Sequence, residues 1–337
     1  MAATLVAPGG LVAQSVVSPT RVVATEDSTA ASYRVVQLAS GLDHPWAFAF
    51  LPDGDLLVTE RSGRLLRYTG RSIEEIDGLP RISATGQGGL LDVLLHPNYD
   101  RNGWIYLTYS SRSVLGVGTT VGRTRLDGNR LVDFEELFRM NDPSFGGRHF
   151  GSRLAFDDDG MLYFTIGDRG SRERAQDLTD HAGSVLRLRA DGRVPNDNPF
   201  VDDEAQPEIF SYGHRNAQGM VRNPFTGEIW LHEHGPQGGD EINIVKAGAN
   251  YGWPLVSYGG EYGSGRQVGE GASKPGIEEP ILHWTPSIAP SGMTFYTGDA
   301  FPGWSGDLFV GALAGRHLRR VDMNGSDVAG EEELLSG

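Results

Sequence analysis

The stretch FDDDGMLYFTIGD, residues 156–168, decides the fold. An acidic turn ends in Gly160, and an apolar, β-favouring run follows directly. The same order of turn, glycine and apolar strand recurs along the chain. The other copies are LPDGDLLVTE from Leu51, HPNYDRNGWIYLTY from His96, NPFTGEIWLHEHG from Asn223 and FPGWSGDLFVGAL from Phe301. Their glycines are Gly54, Gly103, Gly227 and Gly306. Several copies lead through another glycine into a further strand: SGRLLRYTG at Ser62, AGSVLRLRADG at Ala182 and AGRHLRRVDMNG at Ala314. Strands joined by short glycine-containing turns read as antiparallel hairpins. Helical periodicity is nearly absent; ERAQDLTDHAG, residues 173–183, predicts at most one short turn or helix.

A hairpin-built unit recurring every several tens of residues is the signature of a β-propeller. A two-sheet sandwich is the alternative. Five anchor strands are visible, so the expectation is an all-β, six-bladed β-propeller that lacks most of its last blade. SYRVVQLASGL, residues 32–42, is expected to pair into that closing blade. Residues 1–32 read as a disordered leader or a remnant signal segment, and residues 33–337 as one C-terminally incomplete propeller domain.

Composition narrows the function. Glycine supplies 47 of 337 residues, about twice the usual ~7%, which suits a turn-rich chain. The formal net charge of −15 and the lack of a basic stripe argue against nucleic acid and anionic membranes as partners. No apolar run is long enough to span a bilayer. With no cysteine, thiolate metal sites, disulfides and cysteine nucleophiles are excluded. Nucleotide-binding glycine loops, a G-x-S-x-G elbow and H-E-x-x-H are all missing.

Three polar clusters remain. In GGRHFGSRLAFDDDGMLYFTIGDRG, residues 146–170, His149 and Arg153 precede an anchor strand and Asp168 follows it. A histidine beside a carboxylate can act as a general base, with the carboxylate orienting the ring. In FSYGHRNAQGM, residues 210–220, Arg215 and Asn216 suit a carboxylate- or carbonyl-bearing ligand. In WLHEHGPQGGDEINIV, residues 230–245, His232 and His234 stand two apart, as zinc ligands on one strand face would. The Gly235–Pro236 turn instead offers main-chain oxygens, with Glu241 close by. Loop oxygens plus one carboxylate fit calcium better than zinc.

The segments GLDHPWAFAFLPDGDLLVTERSGRL, GQGGLLDVLLHPNY, HFGSRLAFDDDGMLYFTIGDRG, GHRNAQGM and EHGPQGGDEINIVKAGANYGWP, in that order, resemble the soluble aldose sugar dehydrogenases that depend on pyrroloquinoline quinone (PQQ). The resemblance implies a six-bladed propeller with PQQ and calcium at one end of its channel. It implies oxidation of an aldose at C1 to the lactone, with His149 as base, Asp168 holding that base, and Arg215 stabilising charge on the quinone. It assigns Gln87, His149, Arg215 and Asn216 to cofactor binding. Main-chain oxygens of Gly235 and Pro236 are implied as ligands of the catalytic calcium, and Glu241 and the Tyr251 carbonyl as ligands of a second calcium. His232 and His234 then ligate nothing. A periplasmic or secreted address and a separate electron acceptor follow from the same resemblance.

The sequence departs from the family pattern at Ala314, where a cofactor-contacting lysine is expected. Glu173 stands in place of a glutamine, and an arginine-bearing last-blade strand is expected past Gly337. Two other readings remain open: a calcium-dependent propeller lactonase or other hydrolase, and a non-catalytic propeller that binds a glycan or protein.

Overall fold

In the computed structural model, which describes residues 16–336, each copy of the turn repeat sits at the same place in a four-stranded antiparallel sheet. The first sheet contains Pro45–Phe50, Leu56–Glu60, Arg64–Tyr68 and Ile73–Ile76 (β3–β6), after an N-terminal pair described below as β1 and β2. The second contains Leu90–Leu95, Ile105–Ser113, Gly116–Asp127 and Arg130–Arg139 (β7–β10). The third contains Leu154–Phe156, Met161–Ile166, Ser184–Arg189 and Ile209–Tyr212 (β11–β14). The fourth contains Ala217–Arg222, Ile229–Glu233, Asp240–Ile244 and Leu282–Trp284 (β15–β18). The fifth contains Pro290–Phe295, Leu308–Ala312, His317–Asn324 and Asp327–Leu334 (β19–β22). In every sheet sequential strands are neighbours. The quoted repeat is the corner between the first and second strands.

The corner in the quoted stretch shows why glycine is needed. Gly160 has φ +73°, its N–H donates to the Asp157 carbonyl, and the Met161 N–H donates to the Asp157 side chain. A left-handed residue turns the chain there at little cost only if it lacks Cβ. Gly54, Gly103, Gly227 and Gly306 also have positive φ.

The sheets are arranged as propeller blades. First strands pack one against the next: β3 on β7, β7 on β11, β11 on β15 and β15 on β19. That ring of inner strands rules out the sandwich. The core is a series of slabs between blades. Tyr106, Phe138, Leu154, Leu162 and Phe164 fill the slab between the second and third. Trp230, Ile242, Phe295 and Leu308 fill the one between the fourth and fifth.

Five such blades are present among the described residues. Val16–Asp27 (β1) and Ser32–Ser40 (β2) form a separate two-stranded sheet. This corrects one expectation. Residues 16–31 of the proposed leader are not irregular throughout, because β1 pairs antiparallel along β2; residues 1–15 lie outside the described part. Among the described residues the 32–42 strand pairs with β1. Ser28 sets the turn: its hydroxyl accepts the N–H groups of Ala30 and Ala31. The turn docks on the fifth blade, where Thr29 bonds to Glu332 and Tyr33 meets Trp304 edge-on at 5.5 Å. Between β2 and the first blade lies an apolar cavity of about 600 Å³, bordered by Leu38, Trp46, Phe48 and Phe50.

Helix is confined to short pieces, including one turn at Tyr99–Asn102 (α1) and a 3₁₀ turn at Arg172–Gln176, where the sequence predicts one. No helix among the described residues is long and apolar enough to cross a membrane.

Candidate active site

The loop before β11 brings His149 to one end of the inner-strand ring. Its backbone is unusual: His149 has φ +53°, Gly151 +60° and Ser152 +80°. Left-handed non-glycine residues are strained, and they persist only where surroundings hold them. Here the His149 N–H donates to the Gln87 side chain at 2.7 Å, and the Gln87 N–H donates to the Gly147 carbonyl. The guanidinium of Arg169, 1% exposed, donates to the carbonyls of Arg148 and Val117 and lies 3.5 Å from the Phe150 ring centre. Burial pushes its pKa down to about 10.

Asp168 follows β12 and meets His149 Nδ1 at 2.6 Å. With the carboxylate ionised, Nδ1 carries the proton and Nε2 is left with its lone pair. Asp168 also accepts the Gly170 N–H at 2.7 Å and the Trp253 indole N–H at 2.8 Å. Burial pushes the Asp168 carboxyl up. The hydrogen bond and charge of His149, with these two further donors, outweigh burial and leave its pKa below the usual carboxylate range.

Arg215 and Asn216 stand just before β15. The Arg215 N–H donates to Glu233 at 2.6 Å, its guanidinium donates to the His234 carbonyl, and its own carbonyl accepts the Asp168 N–H. No carboxylate pairs with the Arg215 guanidinium among the described residues. Asn216 accepts from the Gly151 N–H and the Gln218 amide, tying its blade to the histidine loop. His214 is fully buried, bonded to Glu233 and stacked on Tyr251 at 4.5 Å. Arg153 donates to Asp92 at 3.1 Å and lies over Trp46, so it braces the blades.

Two adjoining cavities meet here. One, of about 230 Å³, is bordered by Trp46, Arg61, Gln87, Asn216, Gln218 and His234, among others. The second has room for about one water-sized sphere, ≈ 10 Å³, and is bordered by Arg215, Glu233, Gly235, Glu241, Tyr251 and Trp253, among others. His234 borders both. Gly235 is held by its N–H donating to Asp240, whose other oxygen accepts from Ser287, Ile288 and Ala289. A Cβ at Gly235 would fall 2.2 Å from the Gly238 carbonyl, so the turn is closed on itself. Pro236 is buried next to Gly259, outside both cavity walls.

The zinc reading loses its ligands. His234 Nε2 is engaged by the Pro290 carbonyl at 2.6 Å. His232 is sealed between blades, and burial pushes its pKa well below normal. Among the described residues, no three histidine, cysteine or acidic side chains cluster as metal ligands. Glu241 is different. Burial and the nearby Glu233 carboxylate push its pKa well above normal. Asn243 donates to both carboxylates, while its own Oδ1 is buried and unpartnered. A cation would relieve this arrangement, and carbonyl-rich turns suit a hard one.

A model of the glucose/sorbosone dehydrogenase family matches residues 42–337. The chain belongs to this family. It is 44% identical over 315 residues to the aldose sugar dehydrogenase YliI of Escherichia coli, covering 91% of this chain and 85% of the relative. It is 32% identical over 252 residues to quinoprotein glucose dehydrogenase B of Acinetobacter calcoaceticus, covering 65% and 52%. Among solved structures, the PQQ-bound aldose sugar dehydrogenase of Streptomyces coelicolor superposes with a TM-score of 0.74 at 30% identity, covering 96% of this chain and 86% of that one.

Within this family member, the structure brings His149, Asp168, Gln87, Arg215 and Asn216 into one bonded network. Gly235, Glu241 and Tyr251 border the neighbouring cavity. Sequence reading had no role for Trp253, although its indole is a direct partner of Asp168 from 85 residues away. It also had no role for Asp240 as the clamp on Gly235. Neither follows from spacing, because each partner comes from a distant loop.

Proposed function

We propose that this chain oxidises aldoses at C1 to the lactone, using PQQ as acceptor and calcium as Lewis acid. The observation that carries this reading is the His149–Asp168–Trp253 chain, with Gln87, the partner of the His149 N–H, and Phe150, the next residue, bordering a cavity whose walls hold no aspartate or glutamate. Such a cavity fits a carboxylate-bearing cofactor. Gln87 and Asn216 would hold it from the wall of this cavity and Arg215 from the adjoining recess, with main-chain oxygens of Gly235 and Pro236 available to the adjacent calcium. Glu241 and the Tyr251 carbonyl hold a second calcium, which the repulsion between Glu233 and Glu241 supports. When bound, PQQ supplies the two-electron acceptor for the hydrogen leaving C1, and calcium draws electron density from its carbonyl.

The protein's part is proton handling and charge. Nε2 of His149 takes the proton of the anomeric hydroxyl as C1 loses its hydrogen with the bonding pair, and the C1–O bond becomes a carbonyl. Asp168 keeps the ring in the competent tautomer and stabilises the imidazolium that forms. Arg215, without a carboxylate partner, supplies positive charge where negative charge develops. A periplasmic or secreted address goes with this reading. The test is reconstitution of purified protein with PQQ and calcium, followed by dye reduction on adding aldoses. Sugar-dependent reduction that requires both additions is expected; activity without PQQ would sink the proposal.

A further inference from the structure

The larger cavity contains a charge that the mechanism above does not use. Arg61 follows β4 and borders the cavity together with Gln87, Asn216 and Gln218. One of its nitrogens, Nη1, donates to the Gly86 carbonyl, next to Gln87. No ion pair to Arg61 exists among the described residues. Its neighbour Glu60 is already taken, by the Arg64 guanidinium and the Asp43 N–H. The backbone at Arg61 is tightly set: its N–H donates to the His44 carbonyl, and a Cβ at Gly89 would fall 1.8 Å from the Arg61 carbonyl oxygen. In a chain of net charge −15, an unneutralised guanidinium in an acid-free cavity is a local anion site.

We propose that Arg61 is a cofactor-binding residue that takes a carboxylate of PQQ; this rests on the function proposed above. Nη1 is spent on bracing the Gly86–Gln87 loop, and the remaining N–H groups of the fork are available for the carboxylate. The contact lies in the first blade, apart from the positions that the family resemblance assigns. Its effect is on affinity: the anion is held by a charge already fixed in the wall.

The experiment is equilibrium titration of the calcium-loaded protein with PQQ, read by quenching of tryptophan emission, since Trp46 borders the same cavity. Arg61→Gln should raise Kd about 10- to 100-fold at low salt, the loss typical of a hydrogen bond to a charged group. That ratio should shrink between about 0.01 M and about 1 M ionic strength, because screening weakens the wild-type contact. Arg61→Lys should retain the salt dependence. Unchanged Kd in Arg61→Gln overturns this inference and leaves the proposed function standing. A loss equal at both salt concentrations, or shared in full by Arg61→Lys, also overturns it and makes Arg61 a loop brace only. Failure of the wild-type protein to bind PQQ overturns the proposed function and this inference together.

Discussion

The carboxylate of Asp168 accepts from His149, Gly170 and Trp253 while almost fully buried. Asp168→Asn keeps the shape but reverses the donor pattern at His149 Nδ1. We expect kcat to fall about 10²- to 10⁴-fold with little change in KM, measured on reconstituted enzyme; an equal fall in PQQ affinity would contradict the assigned role. The same residue predicts a pH effect. Its folded pKa is depressed below the unfolded value of about 3.9. Its contribution to stability is therefore complete above that value and is lost as pH falls through the lower folded pKa. Asp168→Asn should flatten the acid limb of unfolding free energy below about pH 4, as read by urea titrations across pH; parallel acid limbs would refute it. At Glu241 the environment acts in the opposite direction, because two carboxylates share a recess. Glu241→Gln should raise the thermal midpoint of calcium-free protein and remove the second calcium's share of the stabilisation by calcium. In wild type that stabilisation is about 2.7 kcal/mol at a calcium concentration about 100 times Kd. Calorimetry with and without chelator decides.

At the scale of elements, turns carry most of what the sequence makes legible. All five anchor strands appear as second strands, β4, β8, β12, β16 and β20, each after its positive-φ glycine. A glycine that must be left-handed leaves a local mark in sequence, and so does an apolar run. His149, the Arg215–Asn216 pair and the Gly235–Pro236 turn stand out in the sequence because each lies within a compact motif. The strain at His149, the Trp253 indole bond and the Asp240 clamp could not, because they depend on which loops meet above the ring. Two substitutions separate these kinds of glycine. A Cβ at Gly160 meets nothing within 4 Å, so Gly160→Ala should cost only left-handed backbone strain, about 1–2 kcal/mol, with activity kept. Gly235→Ala must displace the Gly238 and Gly239 carbonyls. It should lose part of the calcium response as well as stability. Equal behaviour of the two variants in a calcium melt would show that the 235–239 turn is not part of the ion site.

At the scale of the molecule, cohesion resides between blades rather than within them. The third blade is packed on both faces: Leu162 and Phe164 join one slab, and Tyr163 joins the other with Phe210 and Leu231. The β1–β2 sheet has no such support. It holds to the fifth blade through its turn, faces a cavity of about 600 Å³ toward the first, and leaves Val22, Val23, Val36 and Leu38 exposed. Two-stranded sheets are marginal by themselves, and local opening follows sparse apolar contact. Native-state hydrogen exchange should therefore find β1 and β2 opening at a small fraction of the global unfolding free energy, while β12 exchanges only through global unfolding. The proposed calcium and PQQ sites lie on loops of other blades, so adding both should raise protection in β12 and leave β1 and β2 unchanged. Protection of β1 equal to that of β12 would mean that the hairpin folds as a full member of the ring, and that the cavity beside it closes in solution.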